Sequence, residues 1–192
     1  MEVRVALTLH TLCGLSTPAI ARLFFVSEAT IAQRLVRAKR KIKASRIPYR
    51  VPSAETIDER LETVLAVVYL LFTEGYGSRD ARQTLQLCDE AIRLGRLLCG
   101  LVPRHAEARG LLALMLLHHS RRDARDDGET PVALDEQDRS RWHRGEIEEG
   151  CRLLDEALAS GTPGPYQIPG HAPPRTIVDR VVTAWLERRV PR

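Results

Sequence analysis

The chain has 192 residues, of which 44% are hydrophobic and 28% are charged, and its formal net charge is +4. No apolar run reaches the roughly eighteen residues that a membrane span requires, so we expect a cytoplasmic protein with one or two small domains and no membrane segment. Residues 1–50 contain ten Lys or Arg against two acids, whereas residues 51–192 contain nineteen against twenty-three. This asymmetry indicates a polyanion-binding module that precedes a part with other partners.

Three helices are predicted in the basic part, over Val3–Cys13, Thr17–Phe24 and Glu28–Ala44. Gly14 ends the first helix, and Pro18 is tolerated in the first turn of the second. Ser27 is a typical N-cap residue, and Glu28 after it suits the positive end of the helix dipole.

The second and third helices have the pattern of a helix-turn-helix, because only two residues separate them. Apolar residues recur at helical spacing in both and predict the contact between them. These residues are Ile20, Ala21 and Leu23 in the second helix, and Ile31, Leu35, Ala38 and Ile42 in the third.

The opposite side of the third helix is polar and basic, and we predict that it binds DNA. In this motif, early residues of the recognition helix contact base edges, and basic residues contact phosphates. The predicted base contacts are Glu28, Thr30, Gln33 and Arg34; the predicted phosphate contacts are Arg37, Arg40, Lys41 and Lys43; Ser27 at the cap completes the set.

A proline-containing segment, "IPYRVP", predicts a domain boundary, because each proline disfavours a continuous helix. The expected organisation is a DNA-binding domain at 1–46, a linker at 47–53, a helical extension at 54–167, and an irregular tail with a short helix at 168–192. Helices in the extension are predicted over Ile57–Gly75, Asp80–Leu101, Ala106–Arg122 and Glu146–Ala159.

The run "EAIRLGRLLCGLVPRHAEARGLLALMLL" is interrupted at Pro103 and is typical of a tetratricopeptide-like unit. Such a domain has a concave face that suits a protein or peptide ligand. The fold class predicted for the whole chain is therefore all-α.

The segment Asp126–Arg144 is the one place where acids, arginines and a histidine cluster. Neighbours in a loop do not establish convergence on one point, so we interpret this segment as a salt-bridged surface loop. In that interpretation, Trp142 anchors the loop, and Arg139 and Arg141 pair with nearby acids. The four cysteines lack the spacing of a metal site, and no phosphate-binding or nucleophile motif is present. We expect no enzymatic activity, no metal and no cofactor.

Residues 3–167 resemble bacterial sigma factors of the extracytoplasmic-function (ECF) subgroup that carries a C-terminal tetratricopeptide-like extension. The segment that resembles region 4 is "VRVALTLHTLCGLSTPAIARLFFVSEATIAQRLVRAKRKI". The segments that resemble the extension are "LLFTEGY", "LLALMLLHHSRRDAR", "QDRSRWHR" and "GPYQ", and they occur in the order of that subgroup. The resemblance implies that the recognition helix binds the minus-35 promoter element. It places Glu28, Thr30, Gln33, Arg34 and Arg37 at positions that contact promoter DNA.

The same resemblance implies docking on the flap of RNA polymerase core and a regulatory role for the extension. In that family, region 2 binds the polymerase clamp and melts the minus-10 element. Met1 lies already inside region 4, so we expect this chain to lack region 2 and to be a truncated or frameshifted product.

A one-component transcriptional regulator is the alternative, since it also joins a helix-turn-helix to an all-helical sensor of small ligands. A long helix usually connects the two parts of such regulators. Pro48 and Pro52 would interrupt that helix here.

Overall fold

The computed structural model describes residues 2–45, 54–77, 81–125, 130–161 and 164–167. Within these ranges the chain is all-α, as predicted, and contains no β-strand. The helices are α1 (Glu2–Thr11), α2 (Thr17–Leu23), α3 (Glu28–Ser45), α4 (Ala54–Gly77), α5 (Ala81–Leu101), α6 (Ala106–His119) and α7 (Arg144–Leu158), with a short 3₁₀ helix at Arg139–Arg141.

The chain forms two compact units, Met1–Ala91 and Ile92–Arg192, which divide within α5. The predicted linker at 47–53 lies outside the described residues, as does the predicted tail at 168–192, so the predicted domain boundaries stay a prediction. α4 packs against α1 and α2, which places it in the same compact unit as the helix-turn-helix.

The first unit is built around the helix-turn-helix. α2 packs on α3, and α1 packs on both. Val5 and Leu9 of α1, Ile20 of α2, and Ile31 and Leu35 of α3 are buried. The side-chain spacing of an α-helix places Ile31 and Leu35 on one face, so the predicted contact stripe is confirmed in its first half.

The second half of the predicted stripe differs from the structure. Ala38 is half-buried, and the Ile42 side chain is 48% exposed. The physical reason is length: at about 1.5 Å per residue, α3 is far longer than the seven-residue α2. The last turns of α3 therefore extend beyond their partner helix, and the prediction that Ile42 belongs to the core was wrong.

A glycine allows α4 to approach the following helix closely. A Cβ atom added at Gly75 would lie 2.8 Å from the Leu87 Cβ and 3.0 Å from the Cys88 backbone nitrogen. The buried Cys88 thiol also points at the Phe72 carbonyl oxygen, at 3.7 Å. Only glycine avoids overlap at this point.

The second unit is centred on α6, whose residues from Gly110 to His119 are all buried. α7 packs along α6 through its buried face, which consists of Gly150, Leu153, Leu154 and Ala157. Arg96 of α5 donates to both carboxylate oxygens of Glu149 on α7, at 3.2 and 2.8 Å. The helical extension was predicted; its tetratricopeptide-like repeat character stays a prediction.

The "GPYQ" segment closes over the start of α6. The Tyr166 backbone nitrogen and the Gln167 side-chain amide both donate to the Glu107 carboxylate, at 3.1 and 2.6 Å. The Gln167 side chain is buried there, against Gly110. The motif that supported the resemblance thus has a structural role, since it connects residues that are 60 positions apart in sequence.

We predict that Gly75→Ala lowers the free energy of unfolding by about 1–3 kcal/mol, because the new methyl group overlaps the backbone of the neighbouring segment. Gly100→Ala is the matched control. A Cβ at Gly100 meets nothing within 4 Å, and alanine is favoured over glycine in a helix by about 0.5–1 kcal/mol. Urea titration of both variants checks the pair. Equal stabilities would show that α4 does not need a glycine at this position.

Candidate nucleic-acid interface

The N-terminus of α3 is capped by Ser27. Its hydroxyl oxygen accepts a hydrogen bond from the Thr30 backbone nitrogen at 3.2 Å and lies 2.8 Å from the Thr30 hydroxyl. The cap satisfies one of the backbone donors that every helix start leaves free. The predicted cap is therefore confirmed, and it fixes where the recognition helix begins.

The predicted DNA-binding residues all lie on α3 or at its cap. Because Ile31 and Leu35 are buried, Gln33 between them points away from the core. Ser27, Glu28, Gln33, Arg37, Arg40, Lys41 and Lys43 are exposed, whereas Thr30 and Arg34 are half-buried. The structure places the nine residues on α3 or at its cap, and their contact with DNA stays a prediction.

The charged side chains of α3 are almost all positive. The helix carries six Lys or Arg and one acid, Glu28, in its first turn. Gln33, Arg37 and Lys41 follow one another at intervals of four residues and share a face. Since a major groove admits an α-helix, this helix can place polar groups near bases at its start and cations near phosphates further along.

An ion pair that the sequence did not reveal supports the helix-turn-helix from outside. Arg22 of α2 pairs with Glu74 of α4 at 2.5 Å. The Glu74 side chain is only 10% exposed, whereas that of Arg22 is 66% exposed. The two residues are 52 positions apart, and no local spacing signals such a pair. α4 thereby holds the first helix of the motif.

A second cluster of polar side chains lies where α6 ends in the second unit. The Glu146 carboxylate is 2.9 Å from the Arg122 guanidinium and 3.1 Å from His119 Nδ1. Arg122 also lies 3.2 Å from His143 Nδ1. A guanidinium group only donates, so Nδ1 accepts and the ring proton is on Nε2, which donates to Asp123 at 2.6 Å.

This cluster connects α6, the following loop and α7. The hydrogen bond from His143 lowers the pKa of Asp123 below its ordinary value. Arg121, which is buried, donates to Gln137 at 3.3 Å, and the backbone nitrogen of His143 donates to the Ser120 carbonyl at 2.8 Å. These hydrogen bonds connect the members across the loop, as in a structural network of polar side chains.

The structure describes residues 130–144 of the predicted salt-bridged loop. Trp142 is half-buried, and the Arg139 guanidinium lies 5.6 Å from the centre of its ring, a cation–π distance. The predicted acids at 126, 127 and 129 lie outside the described residues. Among the residues that are described, no three His, Cys, Asp or Glu side chains come together in a group able to hold a metal ion.

Two protein families match separate parts of the chain. The family described as "Sigma-70, region 4" matches residues 2–42, and the one described as "Family of unknown function (DUF6596)" matches residues 60–158. Uncharacterized protein R00370 of Rhizobium meliloti (strain 1021) is 46% identical over 168 residues, which are 86% of this chain and 40% of that protein. The chain thus spans less than half the length of this relative.

No solved structure matches the chain. None of the helices in the described ranges combines the length and the apolar character that crossing a membrane demands.

We predict that the buried His118 makes the protein sensitive to acid. Burial, followed by the charges of Arg121 and Arg125, lowers the pKa of His118 from 6.5 to about 3. Between these values the unfolded chain binds a proton that the folded chain does not, so stability is lost as the pH falls below 6.5. When the pH falls from 7.5 to 5.0, the free energy of unfolding of the wild-type protein should decrease by about 2 kcal/mol more than that of His118→Gln.

Urea titrations of both proteins at the two pH values measure this difference. His118→Gln removes the titrating ring and keeps a polar side chain of similar length. An equal loss in the two proteins would show that His118 does not couple folding to pH.

Proposed function

The chain belongs to the DUF6596 family and carries a sigma-70 region 4 domain at residues 2–42; on this premise we propose that it recognises the minus-35 element of bacterial promoters. A region 4 domain indicates DNA binding in transcription initiation, with promoter DNA and RNA polymerase as partners. The finer assignment to the minus-35 element is supported by one observation above all. α3 begins at a formed cap, buries Ile31 and Leu35, and presents its polar residues on the other side.

The electrostatics of α3 support the same proposal. Four basic side chains on α3 are exposed, so each can approach a phosphate without a change in core packing: Arg37, Arg40, Lys41 and Lys43. Phosphate contacts provide affinity and orientation, whereas base contacts provide sequence preference. Gln33 and Arg34, nearly two turns after the cap, are suited to the second task.

We propose a regulatory role for the helical extension and docking of the region 4 domain on the flap of RNA polymerase core. The Arg22–Glu74 ion pair and the packing of α4 on α1 and α2 support the regulatory part. A protein or peptide ligand that displaces α4 would alter the support of α2 and hence the presentation of α3. In this proposal the chain acts by binding and not by catalysis.

We predict that DNA binding by the full chain depends steeply on salt. Each phosphate contact releases condensed counterions, and log K falls with log salt by about 0.9 per contact. Arg37→Ala should therefore reduce the slope by about 0.9. Fluorescence anisotropy with a labelled duplex, at several salt concentrations, gives the slope directly.

Arg4→Ala is the matched control, because Arg4 is exposed on α1 and its removal changes the net charge equally. Its slope should equal that of the wild-type chain. If Arg37→Ala and Arg4→Ala behave alike, α3 is not the helix that lies along the DNA.

We predict a different effect for Arg34→Ala, namely a change in sequence preference. An arginine that makes a bidentate contact with guanine discriminates by about 1–3 kcal/mol at one base pair. Selection from a random-sequence duplex pool, done in parallel with wild type and variant, should show relaxed preference at a single position. An unchanged selected sequence would rule out a base contact by Arg34.

A further inference from the structure

The turn between α2 and α3 contains an unusual residue. Phe25 has a backbone φ of +52°, the one positive φ outside glycine in the described part of the chain. Its side chain is 87% exposed. Residues other than glycine, asparagine and aspartate rarely adopt this left-handed conformation, and a bulky side chain makes it less favourable.

Backbone hydrogen bonds hold Phe25 in this conformation. The Phe25 nitrogen donates to the Arg22 carbonyl at 3.2 Å, and the Val26 nitrogen donates to the Ala21 carbonyl at 3.1 Å. Together they form a Schellman motif, the common ending of an α-helix, with Phe25 at the position that glycine usually occupies. The turn needs the left-handed backbone and has no need of the ring.

The ring is also not used by the protein core. An exposed phenylalanine contributes little to folding, and glycine at this position would relieve the backbone strain. Strained residues that the fold does not require are concentrated at functional sites. The two observations, strain and exposure, therefore indicate that the ring of Phe25 contacts a partner.

The position of Phe25 indicates which partner. It lies two residues before Ser27, so the two Cα atoms are separated by at most about 7.5 Å. The residues that follow Ser27 are those that enter the major groove in a helix-turn-helix. Phenylalanine has no group that can bind a phosphate, but it can pack against the C5 methyl group of thymine, which projects into that groove.

We propose that Phe25 is a specificity-determining residue that contacts a thymine methyl group at the edge of the bound site. This inference rests on the proposed function, because it requires α3 to lie in the major groove. It adds an apolar contact to the polar and charged ones predicted on α3. A T·A pair would be favoured at one position adjacent to the bases that α3 reads.

The test uses the best-bound duplex from a random-sequence selection with the full 192-residue chain. Each thymine of that duplex is replaced in turn by deoxyuridine, which lacks only the methyl group. At one position the wild-type chain should bind about fourfold more weakly, as expected for one buried methyl-sized group. Phe25→Gly should bind the thymine duplex about fourfold more weakly than wild type and lose nothing further with deoxyuridine there.

Thermal unfolding separates this role from a structural one. Phe25→Gly should melt at the wild-type temperature or above it, because glycine suits the left-handed backbone. Leu12→Ala is the matched control. Leu12 is also an exposed apolar residue, at 81%, but it lies between α1 and α2 and not in the turn before α3. This variant should keep the wild-type affinity and the wild-type response to deoxyuridine.

Other results overturn the inference in distinguishable ways. If Phe25→Gly matches wild type on every duplex, the thymine contact is wrong and the proposed function stands. If the variant keeps the deoxyuridine response but loses binding to RNA polymerase core, the partner of Phe25 is a protein. If the wild-type chain selects no sequence at all, the proposed function itself fails.

Discussion

The packing of α2 against α3 is the interaction on which the candidate interface depends. Ile20 and Ile31 are completely buried, and complete burial of one such side chain stabilises a fold by about 1.5–3 kcal/mol. Because the helix period is fixed, burying Ile31 and Leu35 also determines that Gln33 and Arg37 are presented outward. The polar face of α3 is therefore set by apolar contacts on its other side, and the cap at Ser27 sets where that face begins.

The parts of the fold that could be predicted from the sequence are those that residues close together in the sequence indicate. Ser27 followed by Glu28 marks a helix start, and the spacing of Ile31 and Leu35 marks a buried stripe. Neither signal reports how long the partner helix is, which is why the same spacing misplaced Ile42 in the core. The nine predicted DNA-binding residues lie on α3 or at its cap, so helical geometry alone relates them to one another, and their contact with DNA stays a prediction.

The features that could not be predicted are of two kinds. Some depend on residues far apart in sequence, and one is a backbone conformation that is unusual for the residue type. Arg22 and Glu74 are 52 positions apart, and Glu107 and Gln167 are 60; many acids and cations could form such pairs, and only the folded chain selects among them. Phe25 was missed for the second reason. Glycine usually marks a left-handed helix end, so an aromatic residue there gives no signal.

The ion pair between α2 and α4 also has a consequence for how such proteins can change over time. Arg22 falls within the region 4 match and Glu74 within the DUF6596 match, yet both lie in one compact unit. Exchanging either segment by recombination would remove from Glu74, whose side chain is 10% exposed, the cation that it pairs with. The two segments are thus coupled through this pair, so a substitution at position 22 or 74 changes the surroundings of the other residue.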